Sequence, residues 1–146
     1  MTLVELIVSM VIISVGLVGV LSALNQAVRN SADPLIHKQM LAIAEEMMDE
    51  VLQKPLVAPA GSAGSINNCT RSTADAVADY GAYTDQPVCD LDGTQLPSLA
   101  GYSVSVSVDG GASLNGINNV SKITVTVKHA GEPDIALVGY RTGWAL

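Results

Sequence analysis

One carboxylate sits where carboxylates are expensive. Glu5 is the only charged side chain among residues 1–28, at the start of the apolar run LVELIVSMVIISVGLVGVLSAL (residues 3–24). An acid at the centre of a membrane helix costs about 2.5–3.5 kcal/mol, and less near the end, where Glu5 lies. An intramembrane acid is a functional-site candidate that calls for a partner. The remaining reactive side chains form no catalytic constellation. His37 and His129, the two histidines, are far apart in sequence and on different elements, and there is no HExxH spacing, nucleophile elbow or P-loop. They read as a solvated helix residue and a strand-end residue. Asp90-Leu91-Asp92-Gly93 resembles the opening of a calcium loop but lacks the acid that closes one. Asn68-Cys69-Thr70 and Asn119-Val120-Ser121 fit the glycosylation triplet, a frequent chance match. No enzyme, cofactor or metal is expected.

Cys69 and Cys89 belong to no CxxC pair, which argues against zinc or a redox motif and for a disulfide formed in an oxidising compartment. Seven Lys and Arg against fourteen Asp and Glu give a net charge of −7. With no basic cluster to meet phosphates, nucleic acid is not an expected partner. The chain has no Phe, four Tyr and one Trp, too few for an aromatic recognition stripe. Trp144 and Tyr140 are expected at the sheet edge or a subunit contact.

Positioning Glu5 falls to the apolar run. A helix of about 22 residues spans roughly 33 Å, enough to cross a hydrocarbon core. The run lacks the basic residues ahead of it and the cleavage site after it that a secretory signal peptide needs. Residues 1–30 are therefore expected to form a hydrophobic N-terminal helix and residues 31–146 a globular domain. Asp33-Pro34 implies either a kink in one long helix or a restart with Asp33 as N-cap. Beyond it, Ile36, Met40, Ile43, Met47 and Val51 recur at helical spacing, with Leu35, Leu41, Ala44, Met48 and Leu52 widening the stripe. This predicts an amphipathic helix over 34–53, ended by Pro55. Its opposite face carries Lys38, Glu45, Glu46, Asp49, Glu50 and Lys54.

Residues 55–100, rich in Pro, Gly, Ser and Asp, read as a loop stapled by the disulfide, with short helical turns near 73–79. Period-two alternation then predicts strands at Tyr102–Val108 and Ile123–Val127, and more weakly at Ile135–Arg141. Turns are expected at about 110–119, around Gly110-Gly111, and at 129–134. The expected fold is α+β: a long hydrophobic-then-amphipathic helix packed on a C-terminal antiparallel sheet of three to four strands.

The opening Met-Thr-Leu-Val-Glu-Leu-Ile-Val, followed by this order of elements, resembles the type IV pilin (class III signal) family. Thr2, Leu3, Val4 and Glu5 match the family's mature N-terminus in place, and Met1 stands where Phe is usual. The motif covers about the first 25 residues; over the rest the likeness is one of architecture. The resemblance implies a leader removed by a prepilin peptidase, N-methylation of Met1, and a single-pass precursor stored in the bacterial inner membrane. It also implies extraction by the pilus assembly machinery into an extracellular helical homo-oligomer. Its core would be formed by Leu3, Leu6, Ile7, Met10, Ile13, Leu17 and Leu21, with Glu5 paired to the Met1 amine of a neighbouring subunit. Pairing offsets part of the desolvation of both charges and penalises wrong axial registers more than it adds cohesion. Ser9, Ser14, Gly16, Gly19 and Ser22 would allow close helix approach. Family members often loosen in this arm; here Gly16 and Gly19 leave local loosening over 14–22 and an uninterrupted helix both open. Within the family a minor pilin or a type II secretion pseudopilin is the alternative to a major pilin. Outside it, the alternative is a non-polymerising membrane-tethered binding domain.

Overall fold

The computed structural model describes residues 2–61 and 64–143, and for residues 27–33 the backbone only. Two compact units are present, Met1–Ile36 and His37–Leu146. A single helix, α1 (Leu3–Gln53), contributes to both. The architecture is α+β, as expected, with a C-terminal four-stranded antiparallel sheet.

The first unit is apolar helix. Thr2 caps it: the Glu5 amide donates to the Thr2 carbonyl at 3.1 Å and to Thr2 Oγ1 at 3.4 Å. Helix continues through Gly16 and Gly19 in the single chain. It also continues through Pro34 without a restart. Asp33, expected as an alternative N-cap, has its side chain outside the described residues. Leu3–Gln26 is long and apolar enough to cross a membrane, and none of it is buried by protein.

In the second unit α1 presents the expected stripe. Met40, Ile43, Ala44, Met47, Met48 and Val51 are buried, while Leu35 and Leu41, expected to widen it, are exposed. The sheet supplies the opposite wall. Strands β1 (Gln86–Pro87), β2 (Tyr102–Leu114), β3 (Ile117–His129) and β4 (Ile135–Thr142) lie in the order β1-β2-β3-β4. The register aligns Val104 with Val127, Val106 with Val125 and Val108 with Ile123, so one face collects the valines and isoleucine. The other face takes Ser105, Ser107, Thr124 and Thr126. Gly139 on β4 faces the helix, and a Cβ there would lie 2.7 Å from Met48 Sδ.

The β2–β3 reversal falls within the expected interval 110–119, but most of that interval is strand. Gly110-Gly111 lies within β2, beside the register shifts between Asp109 and Leu114, and forms a bulged strand instead of a loop. The chain reverses at Asn115-Gly116, both with positive φ (49° and 81°), as a two-residue hairpin demands. Segment 55–100 carries 3₁₀ helices at Val77–Ala82 and Pro97–Leu99, the first a few residues later than expected, and the short strand β1. The Cys69–Cys89 disulfide is present, with Cα atoms 6.1 Å apart.

Candidate functional site

Glu5 occupies the third position of α1, where the helix dipole favours an acid. Thr2-Leu3-Val4-Glu5 also has the spacing of a capping box, a purely local role that the membrane argument passes over. Half of that box is formed, the Glu5 amide donating to Thr2; among the described residues the Glu5 carboxylate has no hydrogen-bond or ion-pair partner. Other polar groups of the segment are satisfied locally. Ser9 Oγ donates to the Glu5 carbonyl at 2.7 Å and Ser14 Oγ to the Met10 carbonyl at 2.7 Å. Each hydroxyl thus hides from an apolar surrounding against its own helix. Leu3, Leu6, Ile7, Met10, Ile13, Leu17 and Leu21 are all more than half exposed. Met1, the expected amine donor and methylation site, lies outside the described residues, as does Trp144. Tyr140 is 43% exposed on the terminal strand of the sheet.

A second constellation was not legible beforehand. Glu50, expected on the solvated face of α1, is instead half-buried and engaged. Arg71 Nε donates to Glu50 Oε1 at 2.9 Å and to Oε2 at 3.2 Å. Tyr80 OH donates to Oε1 at 2.7 Å. The guanidinium also reaches Tyr83 OH at 3.2 Å and, through Nη2, the Cys89 carbonyl at 3.3 Å. Tyr83 OH in turn donates to the Pro87 carbonyl at 3.3 Å. Burial raises the Tyr80 hydroxyl above its ordinary value of 10, and its hydrogen bond to Glu50 adds to this. Burial also raises Tyr83, against the opposing charge of Arg71. Burial works against the Arg71 charge, yet the hydrogen bond and charge of Glu50 carry its pKa above the ordinary guanidinium value. Arg71 thus bonds the helix through Glu50 and the disulfide segment through Tyr83 and Cys89, so this cluster clamps that segment to the helix.

The other candidates resolve as structure. Asp90–Gly93 forms a tight turn in which Asp90 Oδ1 accepts the Thr94 amide at 2.7 Å and Gly93 has φ 93°. His37 is not simply solvated: its Nε2 stands 3.5 Å from Glu132 Oε2. His129 rests against Tyr102, ring centroids 4.5 Å apart, with Nδ1 buried and unpartnered among the described residues. No group of three or more His, Cys, Asp or Glu is placed to hold a metal ion among the described residues. No protein-family model, curated protein or solved structure matches this chain.

Proposed function

We propose that this chain is a structural subunit of a type IV pilus-like filament, held in the bacterial inner membrane by residues 3–24 until it is assembled. The observation that carries the reading is an exposed apolar helix of membrane length whose one carboxylate, Glu5, has no partner among the described residues. Lipid satisfies the apolar surface of a stored subunit, and neighbouring copies of the same helix satisfy it in a filament. Neither environment satisfies Glu5 alone; the α-amine of an adjacent, axially offset copy does. The pair then selects one stagger among many. The disulfide-stapled domain faces outward in an oxidising space, and the role is structural, with no reaction assigned.

Electron microscopy of filaments sheared from cells, with mass spectrometry of their N-terminal peptide, tests this. Filaments containing this chain with N-methylated Met1 are expected; a chain confined to membranes, with an unmodified start, contradicts the proposal.

A further inference from the structure

Along one edge of α1, between the helix and the disulfide segment, runs an open groove of about 550 Å³. Its apolar floor and wall come from Ile43, Met47, Val88, Leu91 and Leu96. Leu91 and Leu96 remain 48% and 38% exposed. Its rim carries Glu46, Asp49 and Asp90, and the one cation in its lining, Arg71, is spent on Glu50. The helix compounds the imbalance. Glu45 with Asp49, and Glu46 with Glu50, are like-charge pairs four residues apart, each destabilising in isolation. No cation stands three or four residues from Glu45, Glu46 or Asp49.

The same helix shows the complementary pattern elsewhere. Leu41 is 41% exposed, and Lys38, three residues before it on the same surface, is exposed as well. Positions 34, 35, 41 and 42 around Lys38 hold Pro, Leu, Leu and Ala, so it has no helical acid partner. The described residues give it no ion pair elsewhere. One surface thus lacks a cation and an apolar plug, and another presents both.

The geometry points to a contact between copies: the Lys38–Leu41 surface of one chain seats in the acidic groove of the next, Leu41 against Leu91 and Leu96, Lys38 against Glu46 and Asp49. In an axially staggered filament each copy offers its Lys38–Leu41 surface to the groove of the next, so the contact runs head-to-tail along the assembly. The inference rests on the filament reading and names the globular contact that accompanies the helical core.

Charge reversal in the full-length chain tests it, read as mass of sheared filament and as cross-linked oligomer in membranes. Lys38→Glu alone, and Glu46→Lys with Asp49→Lys, should each lower both readouts about fivefold, the upper range for an exposed charge pair. Combining all three should restore them to near wild type. A thermal unfolding midpoint no lower than wild type confirms that each variant folds. If Lys38→Glu is neutral while the groove reversal abolishes assembly, the groove serves another cationic partner and the inference is overturned. If assembly persists through every reversal, this contact falls and the filament reading stands. A wild-type chain that yields no cross-links between copies overturns both.

Discussion

Removing the Arg71 guanidinium leaves Glu50 half-buried with Tyr80 as its remaining donor. An orphaned buried charge is far costlier than the pair is stabilising, so Arg71→Ala should lower stability by about 3 kcal/mol. Glu50→Gln, which keeps an acceptor for Tyr80 but leaves the more deeply buried Arg71 charge uncompensated, should lower it by a comparable amount. Urea unfolding of the detergent-solubilised chain measures both. The tyrosines add a pH signature. Tyr80 holds its proton above the ordinary value of 10 in the folded chain. The folded state therefore binds more protons than the unfolded one above that pH, and stability falls as alkalinity rises. Tyr80→Phe should flatten this alkaline limb, by up to about 1.4 kcal/mol per pH unit, while costing a charge-assisted hydrogen bond at neutral pH. At this scale the sequence was legible only where context is local. Glu5 announces itself because its neighbours are uniformly apolar. Glu50 looks like any other acid on a polar helix face, and its partner stands 21 positions away in a segment without periodicity.

The elements were legible in proportion to their regularity. The Met40–Val51 stripe and the valine–serine and isoleucine–threonine alternations marked the helix face and the central strands, because burial on one side imposes a period. The β2–β3 hairpin was foreseen too short. Gly110-Gly111 carries turn chemistry but sits at a bulge, and Asn115-Gly116, the stronger hairpin dipeptide, makes the reversal. Segment 55–100 offered no period, and its order comes from long-range ties: the disulfide, the Arg71 clamp, and Lys54 Nζ on the Ala74 carbonyl at 2.7 Å. Reduction should accordingly destabilise the second unit by about 3 kcal/mol, as expected for a loop of this length. Comparing denaturant midpoints of the oxidised chain and the Cys69→Ser, Cys89→Ser chain measures this. A shift well below 1 kcal/mol would show that the clamp alone orders the segment.

On the scale of the whole molecule, one helix serves two surroundings: apolar on every side to Gln26, apolar on one side from Met40. That division was readable from composition, since a helix hydrophobic all round has to be covered by lipid or protein. Lipid alone or neighbouring copies as well could cover it, and Glu5 decides between them. Glu5→Gln retains a side chain able to complete a capping box with Thr2 but removes the charge that would bind an amine. This variant should insert in the membrane and fold normally, while filament mass sheared from cells falls by about tenfold or more, the loss expected when a buried amine is left unpaired. Wild-type filament yield from Glu5→Gln would contradict it and leave Glu5 as a helix cap on a membrane tether.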